Sequence, residues 1–190
     1  MIIHDRIAAQ LLEKRERMAQ ILNHYGSFKV CDVTVDQIYG GIRGVQIQVS
    51  DVSYVDPYEG LHFRGYSVPE TVDLLPKAPG SEYPMVGGLY YLLMADQLPS
   101  QAEALEVEED WKRRSAIPEQ VFAAVRAMPA DTHPMTLFSI AIMAMQPQAV
   151  FPKQYTNGLQ KSDFWKYSLE DSLNLTARLP GIAAFIYNHK

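Results

Sequence analysis

Asp56-Pro57-Tyr58-Glu59-Gly60-Leu61-His62-Phe63-Arg64-Gly65-Tyr66-Ser67-Val68-Pro69-Glu70 is the stretch on which the reading of this chain turns. It holds too many turn residues for a helix interior and too much charge for a core strand. Asp56-Pro57 and Glu59-Gly60 each read as a turn, and Leu61-His62-Phe63 reads as a short strand. Ser67-Val68-Pro69-Glu70 is a capping box: the Ser hydroxyl and the Glu carboxylate each satisfy an orphan amide of a helix that begins there. A small β element handing over to a helix is therefore expected across these residues.

Upstream, the periodicity predicts a helix from about Asp5 to Tyr25. Its stripe is Ile7, Leu11, Met18 and Leu22, widened to a buried face by Ala8, Leu12 and Ala19. Asp5 is placed to cap it, and Gly26 suits the position after its end. Near-alternation over 28–39 (Val30, Asp32, Val33, Thr34, Val35) reads as a strand, and Val45-Gln46-Ile47-Gln48-Val49 as a cleaner one.

Downstream of Ser67 the chain reads as helix after helix. Leu89–Ala95 ends at Leu98-Pro99. Ser100-Gln101-Ala102-Glu103 repeats the capping box before a helix reaching about Arg114. Pro118–Met128 follows, then His133–Met145 with Thr132 as cap. Tyr155-Thr156-Asn157-Gly158 reads as a helix end or turn. Ser162 caps a long late helix, which Pro180 is expected to interrupt before Gly181–Tyr187. The fold class is mainly all-α, a multi-helical bundle with a small N-terminal β element. No internal repeat, low-complexity tract or flexible linker marks a boundary, so residues 1–190 are expected to form a single domain.

Bulk properties narrow the function classes. A formal net charge of -5 argues against general affinity for nucleic acid or anionic membranes. No apolar run approaches the roughly 20 residues of a membrane span, so no membrane partner is expected. The single cysteine, Cys31, cannot form an intramolecular disulfide, which fits a reducing compartment such as the cytoplasm. No His/Cys cluster has metal-ligand spacing, and no phosphate-loop or dinucleotide fingerprint is present.

Four segments invite a functional reading. Gly40, Gly41 and Gly44 surround Arg43. Glycines let a backbone approach phosphate closely, and a guanidinium offers forked donors to its oxygens; the alternative is a strained turn with a surface arginine. His133, beside a proline and ahead of an apolar run, reads as structural. The acidic run Glu103, Glu106, Glu108, Glu109 and Asp110, followed by Lys112-Arg113-Arg114, suits the helix dipole and reads as a solvated face. Leu137–Met145 is apolar all round and must be covered on every side, by the core or by a second subunit.

In order and spacing, several fragments resemble the citrate synthase family, nearest its mitochondrial form. They are Tyr39-Gly40-Gly41-Ile42-Arg43-Gly44, the 56–70 stretch, Leu75-Pro76-Lys77-Ala78, Trp111-Lys112-Arg113-Arg114, Ile117-Pro118, His133-Pro134-Met135, Phe151–Trp165 and Leu179–Tyr187. The resemblance implies a mostly helical homodimeric enzyme of the tricarboxylic acid cycle. It joins oxaloacetate to acetyl-coenzyme A, its substrate, without a metal or a permanently bound cofactor. Arg43 matches the arginine that holds the coenzyme A phosphates. Lys161 stands where the family has an arginine reaching the coenzyme A site of the neighbouring subunit; the charge is kept and the fork is lost.

The helices matching residues 133–145 and 162–178 build the family's homodimer. Its aspartate base, its two catalytic histidines and its carboxylate-clamping arginines have no counterparts here, so no catalytic residue is assigned. The chain is expected to be the amino-terminal part of the large domain, inactive without the missing carboxy-terminal half and the small domain. Its expected location is the cytoplasm, or the mitochondrial matrix in a eukaryote. A free-standing module that dimerises or binds an acyl-coenzyme A, and a part of a 2-methylcitrate synthase, are the alternatives.

Overall fold

A computed structural model describes residues 2–45 and 48–189. Among the described residues it comprises nine α-helices and one three-stranded antiparallel sheet, a mainly helical architecture as expected. They fall into two compact units, one up to Glu106 and the other from Val107. That division lies within a continuous helix and not in a linker.

The first unit contains α1 (Ile2–Tyr25), α2 (Val35–Tyr39), β1 (Ser53–Asp56), β2 (Gly60–Phe63), β3 (Tyr66–Ser67), α3 (Val68–Leu74), α4 (Val86–Ala95) and the start of α5 (Gln101–Arg114). Its organising stretch behaves as the sequence predicts. The Asp56 carboxylate accepts from the amides of Tyr58 (2.7 Å) and Glu59 (2.9 Å), closing the Pro turn. Gly60, at φ +87°, starts β2, which pairs with β1 from Asp56↔Gly60 to Ser53↔Phe63. Arg64 and Gly65 then form a two-residue hairpin loop with φ of +50° and +87°, both positive as such a loop requires. At Ser67 both halves of the capping box are made, launching α3.

Arg64 accepts a left-handed backbone, and its side chain, 7% exposed, runs to the end of α4. There it donates to the Leu93 carbonyl from Nε (3.0 Å) and Nη2 (2.5 Å), and it faces Asp51 at 3.2 Å and Asp96 at 3.6 Å. Lys14 of α1 shares both aspartates, at 3.1 and 2.8 Å. A cation at a helix C-terminus is favourably placed, and the two aspartates neutralise this pair.

Several upstream expectations are corrected. α1 starts before Asp5, which sits in its first turn and is not the cap. Only Ile3 is buried, and Met18 and Leu22 are each 63% exposed. The cause is length: α4, which α1 packs on, has 10 residues against 24, or about 15 Å against about 36 Å at 1.5 Å per residue. Residues 28–34 form no strand. Thr34 instead caps the short helix α2, its hydroxyl accepting from the Gln37 amide and the Gln37 side chain accepting from the Thr34 amide. Of the strand expected over 45–49, Gln46 and Ile47 lie outside the described residues, and Val45, Gln48 and Val49 are irregular.

The second unit contains the rest of α5, α6 (Glu119–Arg126), α7 (Pro134–Ala144), α8 (Val150–Thr156) and α9 (Phe164–His189). Val121, Val125, Leu137, Ala141, Met145, Ile182 and Ile186 form its core. Pro180 does not interrupt α9: it lies inside the helix on the exposed face, where a missing N–H is tolerated by solvated backbone. Beside it, a Cβ on Gly181 would meet Ile117 Cδ1 at 2.8 Å, so glycine permits a close approach there. His133, not Thr132, caps α7, its Nδ1 accepting from the Met135 amide at 3.2 Å. Ser162 lies in a 3₁₀ turn, Lys161–Asp163, that precedes α9. Among the described residues no single helix is long and apolar enough to cross a membrane.

Candidate functional site

Arg43 sits in a turn held from α2. The Gln37 carbonyl accepts from the Ile42 amide (2.6 Å), and the Gln37 side-chain amide donates to the Arg43 carbonyl (3.3 Å). Gly41, Ile42 and Gly44 have φ of +81°, +60° and +72°. For a β-branched residue such as Ile42 this backbone is costly, on the order of 1–2 kcal/mol. The amides of Gly41, Ile42 and Val45 are spent inside the turn, on Ile38, Gln37 and Ile42. The Arg43 side chain is exposed and makes no ion pair among the described residues.

Lys161 belongs to the other unit, exposed in its 3₁₀ turn. The turn follows Gly158, at φ +85°, which ends α8 as the sequence predicts. Phe151, Tyr155 and Phe164 form a ring cluster around that connection.

His133 is a helix cap, as a structural reading requires. His62 is buried, stacked on Tyr54 with ring centroids 4.6 Å apart, its Nδ1 3.1 Å from the Gly60 carbonyl. Among the described residues no group of three or more His, Cys, Asp or Glu side chains could hold a metal ion.

The acidic run on α5 is not simply a solvated face. Asp110 is buried, bonded to Arg113 (3.1 Å) and Arg114 (2.5 Å). Arg114 in turn donates to Glu170 and Asn174 of α9, while Arg178 donates to the Arg114 carbonyl at 3.3 Å. Glu103 accepts from the Ser100 amide (2.9 Å) and the buried Tyr91 hydroxyl (2.8 Å). The Ser100 amide, aided by Tyr91, holds the Glu103 carboxyl below its usual range, and burial together with Glu103 pushes the Tyr91 phenol up to about 12.

Sequence reasoning missed the Arg64 and Arg114 networks, and the Asp171 carboxylate of α9, which accepts from the amides of Val150 (2.7 Å) and Phe151 (2.9 Å) at the start of α8. The only available signal was charge in otherwise apolar surroundings, as at Arg64 between Phe63 and Gly65.

The family model described as citrate synthase, C-terminal domain, matches residues 41–190. A citrate synthase of Kajikia audax, named as mitochondrial, is 40% identical over 187 residues, covering 98% of this chain and 40% of the relative. Among solved structures, the citrate synthase of Pyrobaculum aerophilum superposes with a TM-score of 0.63 at 21% identity, over 79% of this chain and 36% of that one. That of Thermoplasma acidophilum, solved with carboxymethyl coenzyme A and oxaloacetate, gives 0.59 at 19% identity, over 83% and 36%. These structures share the helical fold. The chain spans about two fifths of the length of the relatives it matches. With its capped helices, its Gly-Gly-x-Arg-Gly turn and a family match over most of its length, this chain belongs to the citrate synthase family.

Proposed function

We propose that these residues supply the framework and part of the coenzyme A grip of an enzyme that condenses oxaloacetate with acetyl-coenzyme A to citrate. The observation that carries this is the 40% identity over 187 residues with an enzyme of that name. Arg43 binds the coenzyme A phosphates through its guanidinium, on a turn whose left-handed backbone presents it outward. Lys161 contributes a second positive charge at a coenzyme A site. The Thermoplasma enzyme, solved with a coenzyme A analogue and oxaloacetate, supports that ligand class. The enolising base and the electrophilic histidines come from polypeptide outside these 190 residues, so this chain alone does not condense the substrates. The complete enzyme acts in the mitochondrial matrix, or in the cytoplasm of a bacterium.

The enzyme is a homodimer through 133–145 and 162–178. Support comes from an apolar groove of about 700 Å³ lined by Pro134, Met135, Phe138, Ala183, Ile186 and Tyr187, which extends the contact to the end of α9. Calorimetric titration with coenzyme A tests the grip: Arg43→Ala is expected to weaken binding at least about tenfold, the scale of one lost charge-assisted phosphate contact. Unchanged affinity would remove Arg43 from the site, and citrate formed by the 190-residue chain above blank would refute its inactivity.

A further inference from the structure

We infer that Asp171 is a positioning residue for Lys161, acting through α8; this rests on reading Lys161 as a coenzyme A contact. Lys161 is exposed and makes no ion pair among the described residues, so its place is set by the connection that carries it. That connection, residues 157–163, joins α8 to α9 and is only as fixed as those two ends.

α8 has seven residues, too few to be stable alone. Its cap residue, Ala149, offers no side-chain acceptor. The orphan amides of its first turn are satisfied instead from α9. Asp171 Oδ1 accepts from Val150 (2.7 Å) and Oδ2 from Phe151 (2.9 Å), so one carboxylate holds two adjacent amides.

The far end of α8 closes with a Schellman pattern. Leu159 donates to the Gln154 carbonyl (3.1 Å) and Gly158 to that of Tyr155 (3.1 Å), with Gly158 left-handed. Asp163 then donates to the Gln160 carbonyl at 2.9 Å. Phe164, the first residue of α9, packs edge-on against Phe151 at 5.1 Å and against Tyr155 at 5.9 Å. Phe151 therefore serves twice: its amide is held by Asp171 and its ring is clamped by Phe164. Release of the carboxylate frees the start of α8, and with it the ring that fixes the start of α9. Lys161 lies between them.

The test uses the 190-residue chain, with hydrogen–deuterium exchange over residues 150–163 and calorimetric titration with coenzyme A. Asp171→Ala is expected to raise exchange across that segment and to weaken coenzyme A binding several-fold. Asp171→Asn, which keeps shape and one acceptor oxygen, is expected to fall between it and wild type, and covers the case of an alanine variant that does not fold. The double variant Asp171→Ala/Lys161→Ala should bind coenzyme A no more weakly than Lys161→Ala alone. Additive losses, or exchange unchanged in both Asp171 variants, would overturn the positioning role. Should Lys161→Ala leave coenzyme A affinity unchanged, the reading of Lys161 fails, and the exchange data still decide whether Asp171 holds the segment.

Discussion

α4 and α7 have nearly the same chemistry and different fates. Neither carries a charged residue: one reads Val-Gly-Gly-Leu-Tyr-Tyr-Leu-Leu-Met-Ala, the other Pro-Met-Thr-Leu-Phe-Ser-Ile-Ala-Ile-Met-Ala. α4 buries Gly87, Gly88, Tyr90, Tyr91, Leu92 and Ala95 within its own unit. α7 buries only Leu137 and Ala141, and leaves Met135 62% and Met143 72% exposed. An apolar helix needs cover on every side, but composition does not say whose atoms provide it. For α4 the cover is intramolecular along most of its length, leaving Val86 at its first position 66% exposed. For α7 the proposed cover is a second copy, seated on the groove beside Met135 and Phe138.

The sharpest way to break this contrast is truncation on each helix. Leu92 is fully buried, so Leu92→Ala should cost about 2–5 kcal/mol in denaturant unfolding, transfer plus cavity. Met143→Ala should change the stability of dissociated protein by less than about 0.5 kcal/mol, as exposed sites do. Similar losses at the two positions would mean that α7 is covered within the chain. Next in size is association. Met143→Glu puts a charge on the proposed contact and should weaken dimerisation at least about tenfold, roughly 1.4 kcal/mol. Sedimentation over a concentration series reads it, and an unshifted profile would move the interface off α7.

How much of this was legible depended on whether the deciding information was local. The Asp56–Glu70 stretch read correctly because each of its devices is closed by residues a few positions away: Asp56 on Tyr58 and Glu59, Ser67 on Glu70. Thr34-Val35-Asp36-Gln37 carried the same capping signature, and the alternating valines obscured it. Burial on α1 was not legible, because the length of its neighbour α4 decides where its stripe stops being covered. Arg64 on Leu93, Arg114 on Glu170 and Asp171 on Val150 are pairings brought about by tertiary structure, with no spacing rule to announce them. Arg43 was legible as a motif, while the inward use of the neighbouring amides needed coordinates.

The polar fixing of α4 gives a smaller, pH-resolved effect. Glu103 has a folded value below the ordinary 4.5, chiefly through the Ser100 amide. The unfolded chain therefore binds its proton more readily, and stability rises with pH in that range. This contribution is intact above pH 4.5 and drains as pH falls through the folded value. Tyr91 is the opposite case: raised from 10 to about 12, it contributes below pH 10 and loses that contribution as pH climbs toward 12. Tyr91→Phe should cost about 1 kcal/mol at neutral pH and abolish the alkaline loss, since no phenol remains to ionise. An alkaline slope surviving in that variant would assign it to other groups. In α7 the Ser139 hydroxyl is spent within the helix, donating to its own Met135 carbonyl at 2.9 Å.

The finest test asks whether α4 is packed to the limit. Gly88 lies in the first turn of α4, where glycine costs at most the about 0.5–1 kcal/mol relative to alanine of a helix interior, through backbone entropy. A Cβ added there would meet Pro76 Cδ at 3.5 Å, Ala104 Cβ at 3.6 Å and Pro99 Cγ at 3.7 Å, all ordinary van der Waals contacts. Gly88→Ala should therefore stabilise the chain by up to about 0.5–1 kcal/mol in denaturant unfolding, and bulkier residues should reverse the sign by overpacking. Destabilisation by alanine itself would mean that α4 tolerates no added atom, and that its two glycines are required by closer packing than these distances describe. Agreement would mean that α4 owes its burial to large side chains such as Tyr91 and Leu92, with room for one methyl to spare at Gly88.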